Sequence, residues 1–233
     1  MTRSMAAQLI RWLLPARSVP TRVWRGPFRG ARIVMNPRHS LRKVFGLYEH
    51  ELNGWLEVAF GRIDRVIDVG ANDGYFTFGC VAALRRHGRR GKIVAFEPEK
   101  RPVQELRESL RAQKENAAQV EIVQAFVGRE VKPDMTTLDA LGSEWPRTNT
   151  LIKVDVEGAE LEVIAGAQSW LHASNAFVIE VHHRSFLKPL QNTFSQHGLR
   201  LNQVNQRALP LLGRENRDEE NWWLVSDLSG PAQ

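Results

Sequence analysis

Short apolar runs rich in β-branched residues alternate along this chain with longer stretches in which apolar positions recur at helical spacing. Runs of about five such residues are typical of strands buried on both faces of a parallel sheet. The stretches between them have the length of helices that connect parallel strands, so the alternation predicts an α/β fold with a doubly wound sheet. The predicted strands are residues 65–69, 92–96, 120–124, 151–155 and 177–181, and the predicted helices are residues 75–86, 101–114, 159–171 and 185–197.

The two ends of the chain depart from this central pattern. Residues 200–203 and 222–228 predict two further strands, and the polar turn-like segment between them indicates an antiparallel pair at one edge of the sheet. Before the first sheet strand, residues 21–35 predict a small hairpin and residues 44–60 predict a helix. We therefore expect seven strands in the main sheet.

Composition is that of an ordinary globular protein. The chain has 233 residues, of which 42% are hydrophobic, and this suffices for a sizeable core. We expect one domain over residues 41–233, preceded by an extension over residues 1–40. The single cysteine, Cys80, excludes an internal disulfide and a multi-cysteine zinc site, which favours a reducing compartment, the cytoplasm.

The extension begins with a basic amphipathic pattern. Met5, Leu9 and Trp12 recur at helical spacing with arginines around them. No apolar run approaches the roughly 20 residues that span a bilayer, and Arg11 interrupts what would be the apolar core of a signal peptide. The pattern predicts a helix that packs on its own domain or makes a peripheral contact with the inner face of a membrane.

Arginines cluster twice in a chain whose formal net charge is +6. One cluster lies within residues 21–43 and the other within residues 85–92. The second joins a predicted helix end to a strand, where cations complement the helix dipole. Because aromatic residues that stack on bases are not interleaved with it, we expect no nucleic-acid partner.

The segment VIDVGANDGYFTF, residues 66–78, joins a strand to a helix through a tight loop. Gly70, Asn72 and Gly74 are residue types that tolerate positive φ angles, and such a loop suits a nucleotide-like ligand. Its spacing is not the three-glycine dinucleotide fingerprint. Asp68 and Asp73 would repel a pyrophosphate and attract a cationic sulfonium, which favours S-adenosylmethionine over a nicotinamide cofactor.

Glu97 follows the next predicted strand, which Pro98 ends. A carboxylate at this position can accept both ribose hydroxyls of an adenosine. A solvated loop acid is the alternative, but the preceding glycine loop favours the ribose contact.

Six motifs carry a resemblance to a known family: YEHEL (48–52), DVGANDGYFT (68–77), AFEPE (95–99), TTLDAL (136–141), IKVDVEGAELEVIAGA (152–167) and IEVH (179–182). In this order they resemble the FkbM-type S-adenosylmethionine-dependent methyltransferases. The resemblance implies a class I methyltransferase fold with strand order 3-2-1-4-5-7-6 and an antiparallel last strand. It also implies O-methylation of a hydroxyl on a sugar, glycolipid or other natural product. The implied cofactor contacts are Asp68, Gly70, Ala71, Asn72, Asp73, Gly74, Tyr75, Glu97, Pro98 and Ala125.

This chain departs from the family pattern in two places. The segment AFVGREVKPDM, residues 125–135, is shorter than its counterpart in the family, and residues 1–40 have no counterpart. The first departure affects the wall on the acceptor side.

Three carboxylates crowd LIKVDVEGAE, residues 151–160. Because ligands of a doubly wound sheet lie beyond the carboxyl ends of its strands, Asp155 and Glu157 are expected beside the cofactor, with the sulfonium as the cation opposite them. Methyl transfer requires the acceptor oxygen to be aligned and its proton to be accepted. Asp155 is the first candidate for base or orienter, and Glu157 for binding the acceptor or a cation. Glu160 is expected to stabilise the positive N-terminus of the next helix.

His182 follows the fifth strand and points toward the same crevice. A histidine near its ordinary pKa of about 6.5 can take a hydroxyl proton at neutral pH, and Glu180 lies two positions earlier on the same face. A capping or core histidine is the alternative. Asp155, Glu157, Glu180 and His182 offer oxygen and imidazole ligands, but their spacing is not a standard metal signature, so no metal is predicted.

Other functions leave different signatures. A nucleic-acid methyltransferase would normally show Asn/Asp-Pro-Pro-aromatic or Pro-Cys where this chain has DVEG, residues 155–158. The alternatives to methylation of a small-molecule or glycan acceptor are a non-catalytic S-adenosylmethionine-binding protein and a methyltransferase with a nucleic-acid or protein acceptor.

Overall fold

The computed structural model describes residues 14–113, 120–205, 208–209 and 222–228. The predicted basic helix that contains Met5, Leu9 and Trp12 lies outside these residues. In the described part of the chain the strands are β1 (Val19–Arg22), β2 (Arg32–Met35), β3 (Arg65–Val69), β4 (Lys92–Phe96), β5 (Val120–Val123), β6 (Phe126–Val127), β7 (Met135–Thr136), β8 (Thr150–Val154), β9 (Ala176–Val181), β10 (Leu201–Val204) and β11 (Trp222–Ser226).

Helices connect and flank these strands. They are α1 (Leu41–Val44), α2 (Asn53–Phe60), α3 (Tyr75–Arg86), α4 (Lys100–Arg111), α5 (Glu160–Ala165) and α6 (Arg184–Gln196). Within the described residues, no helix combines the length and the apolarity that crossing a membrane requires.

The main sheet has seven strands in the order β10-β11-β9-β8-β3-β4-β5. Strand β11 is antiparallel to both of its neighbours, whereas the other adjacent strands pair in parallel. Numbered along the chain within this sheet and read from β5, the order is 3-2-1-4-5-7-6. The predicted seven-stranded α/β sheet is confirmed, and a separate antiparallel hairpin is formed by β1 and β2.

Apolar clusters cover both faces of the sheet. Successive residues of β3 alternate between them: Val66 belongs to the cluster that contains Phe60 and Phe78, and Ile67 to the cluster that contains Trp170. This alternation is the two-residue period of a strand. Strands β8 and β9 are buried along their whole length, which explains why their sequences are mostly apolar, with Lys153 and Glu180 as the charged residues.

Two predicted helices are interrupted. The predicted helix over residues 44–60 is wrong, because α1 ends at Val44 and α2 starts at Asn53. Between them Gly46 has φ +66° and lies so close to the hairpin that an added Cβ would be 2.1 Å from the carbonyl oxygen of Arg25. The helix predicted over residues 159–171 stops at Ala165, where the following Gly166 packs against the backbone of residue 128.

The hairpin shares the core of the sheet. Val23 and Ile33 are fully buried, and the ring of Phe28 packs against Gly79 of α3 so closely that a Cβ there would lie 2.4 Å from the ring. The backbone N–H of Val34 also donates to the hydroxyl of Ser109 in α4, at 2.9 Å. The hairpin is therefore fastened to two helices.

Candidate active site

A buried lysine lies at the centre of the predicted site. Lys153 in β8 is 4% exposed, and its Nζ lies 2.9 Å from Asp155 Oδ2 and 3.4 Å from Asp68 Oδ1. The ammonium also donates to the carbonyl oxygen of Gly70, at 3.1 Å. Of the three crowded acids, Asp155 therefore has a cation beside it within the chain, Lys153 of the same segment. The sulfonium expected opposite these acids stays a prediction.

The charge states of Lys153, Asp68 and Asp155 depend on one another. Burial lowers the pKa of Lys153, but Asp155 and Asp68 outweigh it and hold that pKa above its ordinary value. Burial raises the pKa of Asp68, against the opposing influence of Lys153 and of the Thr77 hydroxyl that donates to it. At Asp155 burial opposes ionisation, but Lys153, Glu180 and His182 together outweigh burial, so the pKa lies below its usual range. Lys153 and Asp155 are both charged at neutral pH.

His182 is held by a second buried acid. Its Nδ1 lies 2.7 Å from Oε1 of Glu160, which also accepts the backbone N–H of His182 at 3.0 Å. In the tautomer that carries its proton on Nδ1, the ring donates to Glu160, and Nε2 is left toward Asp155 Oδ1, at 3.9 Å. The hydrogen bond with Glu160 raises the pKa of His182, although burial opposes it. Glu160 is fully buried and lies in the first turn of α5, as expected for a residue that stabilises the helix N-terminus. It also holds the ring of His182, a contact that was not predicted.

Three of the four proposed metal-ligating residues come together. Asp155, Glu180 and His182 each place one possible ligand atom within 4.8 Å of the others. Glu157 is exposed and makes no hydrogen bond or ion pair with the described part of the chain. The cluster can contact a cation, but Lys153 already places a positive charge 2.9 Å from Asp155.

Glu97 connects the glycine loop to the end of β4. Its Oε2 accepts the backbone N–H of Asn72 at 2.9 Å, and its Oε1 accepts that of Glu99 at 3.0 Å. The side chain is buried, with 6% of the residue exposed. A carboxylate offers about four acceptor positions, so two are left for ribose hydroxyls. The position thus fits the predicted ribose contact.

Gly70 contacts the end of β8. Its φ is +80°, and an added Cβ would lie 1.9 Å from the carbonyl oxygen of Asp155. The backbone N–H of Asp155 donates to Val69, at 3.0 Å. A side chain at position 70 would therefore collide with the backbone of Asp155, which explains the glycine. The same contact keeps the loop beside the candidate catalytic residues.

The second acid of the loop also has a lysine partner. Asp73 is ion-paired with Lys43 of α1, and its Oδ1 accepts the backbone N–H of Tyr75 at 3.1 Å. Asp68 and Asp73 are thus each paired with a lysine of the chain. The loop does not have two unpaired acids that would attract a sulfonium.

The other predicted cofactor contacts differ in exposure. Tyr75 is buried, and its ring packs edge-on against Phe28 and Tyr48. Ala71 is also buried, and its N–H donates to the end of β4. Gly74 immediately precedes α3 and has φ +81°. Pro98 and Ala125 are partly exposed and follow β4 and β5 at the same edge of the sheet.

Sequence reasoning gave no role to Lys153 and did not predict the contact of Glu160 with His182. The signal for Lys153 was a single charged residue within the apolar strand TLIKV. In the sheet it stands directly opposite Asp68, the single acid of β3. Only the register of the two strands makes that pairing visible.

Comparisons with known proteins bear on the fold of the chain. The sequence model of the methyltransferase FkbM domain matches residues 109–201. The crystal structure of methyltransferase FkbM from Methylobacillus flagellatus KT is similar, with a TM-score of 0.54 and 15% identity over 81% of this chain and 59% of that chain. The METTL16 methyltransferase domain has a TM-score of 0.50 and 16% identity over 82% and 77% of the two chains. No curated protein sequence matches.

The fold is that of the S-adenosylmethionine-dependent methyltransferases. The predicted resemblance to the FkbM-type methyltransferases is confirmed by the family match. The chain spans 59% of the length of the solved FkbM methyltransferase.

Proposed function

We propose that this protein uses S-adenosylmethionine to methylate a hydroxyl group of a sugar, a glycolipid or another natural product. The observation that carries the proposal is the crevice at the carboxyl ends of β8 and β9. There the carboxylate of Asp155 and the ring of His182 lie close together. The glycine loop lies beside them because Gly70 contacts the backbone of Asp155. In doubly wound sheets this is the edge where ligands bind.

The residues fit the cofactor. Glu97 has acceptor positions for the ribose, and the loop from Gly70 to Gly74 brings backbone close to that carboxylate. When bound, S-adenosylmethionine supplies an electrophilic methyl group. The protein's part is to hold the acceptor oxygen in line with that methyl and to remove the proton.

Asp155 and His182 have different roles in the proposed methyl transfer. Asp155 has a lowered pKa because Lys153, Glu180 and His182 together outweigh the effect of burial, so it is a weak base that stays charged and orients the hydroxyl. His182, with its Nδ1 fixed by Glu160, takes the proton at Nε2. Since the pKa of His182 is raised, the rate should increase as pH rises through that raised value.

Cofactor binding is tested by calorimetric titration with S-adenosylhomocysteine. Glu97→Gln should weaken binding by about 1–3 kcal/mol, because the ribose hydroxyls lose a charged acceptor. Glu99→Gln is the matched control, since Glu99 is an exposed acid two positions along the chain. Unchanged affinity in a folded Glu97→Gln protein would remove the ribose assignment.

Turnover is tested with S-adenosylmethionine labelled in its methyl group and a panel of sugar and glycolipid acceptors. With an accepted substrate, Asp155→Asn should lower turnover by roughly 10²-fold, because the hydroxyl loses the charged group that orients it, while S-adenosylhomocysteine affinity is retained. EDTA should leave turnover unchanged because Lys153 supplies the local positive charge. Binding of S-adenosylhomocysteine without transfer to any hydroxyl would favour a non-catalytic binding protein.

A further inference from the structure

A cavity lies away from the candidate active site. It has a volume of about 420 Å³ and is formed by the β1–β2 hairpin and the last turns of α3, with Arg22, Arg29, Gly30 and Arg85 among its lining residues. Helix α3 begins at the glycine loop and has 12 residues. At 1.5 Å per residue the cavity is therefore roughly 15 Å from that loop. This size is sufficient for a small ligand.

Four arginines line this cavity, Arg22 and Arg29 from the hairpin and Arg85 and Arg86 from α3. Arg86 already has partners within the fold. It donates to the carbonyl oxygens of Pro27 and Arg29, and it lies 3.4 Å from Glu57. In the described part of the chain the other three have no acidic partner.

The helix dipole accounts for only part of this arrangement. Arg85 and Arg86 occupy the last turn of α3, where cations are favourable. Arg22 and Arg29 come from a different element, and bringing them to the same cavity adds like-charge repulsion. An anion that contacts three guanidinium groups would relieve this repulsion.

Guanidinium groups recognise phosphate through paired hydrogen bonds. Beside them, Trp24 is 63% exposed and lines the same cavity, so it offers an apolar ring to the part of a ligand that bears the phosphate. We propose that the cavity between the hairpin and the end of α3 binds a phosphate or diphosphate group. This site is separate from the methyl-transfer crevice and does not depend on the proposed activity.

The test is calorimetric titration of the full chain with inorganic pyrophosphate. Arg22→Glu/Arg85→Glu should weaken binding by about a hundredfold, since it removes two charged hydrogen bonds that are each worth about tenfold. The matched control is Arg107→Glu/Arg111→Glu, which changes the net charge equally at exposed positions of α4 outside the lining. The control should bind within about twofold of the wild type.

Folding of each variant is checked by circular dichroism, and Arg22→Gln/Arg85→Gln replaces the charge reversal if that variant does not fold. Absence of pyrophosphate binding by the wild type, or equal weakening in the α4 control, would overturn the proposal.

A second arm identifies the source of the phosphate. The protein is co-sedimented with phosphatidylcholine vesicles that contain or lack phosphatidic acid. Sedimentation that requires phosphatidic acid, depends on Arg22 and Arg85 and is displaced by pyrophosphate supports a lipid headgroup. Pyrophosphate binding without sedimentation supports a soluble phosphate compound.

Discussion

Among single side chains, Lys153 carries the largest expected effect on stability. Replacing it by Met removes the cation that faces Asp68 and Asp155, which leaves a fully buried acid without its ion pair. The free energy of unfolding should fall by about 3–5 kcal/mol, the usual cost of an uncompensated buried charge. Urea unfolding measures this, with Lys188→Met on the exposed face of α6 as the control. A loss no larger than in the control would contradict the buried ion pair.

His182 makes the stability of the folded protein depend on pH. The pKa of His182 is raised in the folded state, chiefly by the hydrogen bond with Glu160. Its contribution is therefore complete below the ordinary value of about 6.5 and is lost as pH rises through the raised value. The free energy of unfolding of the wild type should decline over this range, and His182→Gln should lack the decline. His197→Gln, at an exposed histidine following α6, should keep it.

Asp155 and His182 were accessible to prediction because each follows a buried strand. Parallel strands end at one edge of the sheet, so residues distant in sequence are expected to meet there. The contact of Glu160 with His182 was not predicted because the sequence position of Glu160, at the start of α5, has an ordinary explanation in the helix dipole. Its burial against the ring of His182 depends on how α5 packs on β9, and no local pattern reports that packing.

At the level of secondary-structure elements, the contact between the glycine loop and β8 can be tested with a matched pair of glycines. Gly70 and Gly88 both have positive φ, but an added Cβ meets the backbone of Asp155 at Gly70 and open space at Gly88. Gly88→Ala should cost about 1–2 kcal/mol from the φ angle alone. Gly70→Ala should cost a further 1–3 kcal/mol or so for the steric overlap. Equal losses in thermal unfolding would show that the loop accommodates the methyl group.

The elements that were predicted well are those whose burial is fixed by the sheet. The bounds of β3, β4 and α3 coincide with the predicted ones, because an apolar run between polar turns has one way to be buried. The breaks after α1 and α5 were missed. Both occur where a glycine approaches the backbone of a segment remote in sequence, at Arg25 and at Gly128, so only the tertiary structure contains the reason.

Considering the whole molecule, the hairpin and the sheet should unfold together. Phe28 of the hairpin is buried in the same apolar cluster as Phe60 and Phe78. Phe28→Ala should therefore lower the free energy of unfolding by about 3–5 kcal/mol, as Phe177→Ala in β9 should. Phe126→Ala, at a half-exposed side chain, should cost about 0.5 kcal/mol or less. Tryptophan fluorescence and circular dichroism should give one coincident transition, whereas an early separate transition would indicate an independent hairpin.

The pairing of β3 with β8 also constrains when the protein can fold. Lys153 contacts Gly70 across 83 positions of sequence, and these two strands lie side by side in the middle of the sheet. On the ribosome, Asp68 emerges well before the lysine that neutralises it, and at about 5–20 residues per second the delay is several seconds or more. During that interval β3 cannot bury its acid without an unpaired charge. The nascent chain should thus stay open to proteases and chaperones until β8 has been synthesised, and release of chains truncated before residue 150 should yield no protease-resistant core.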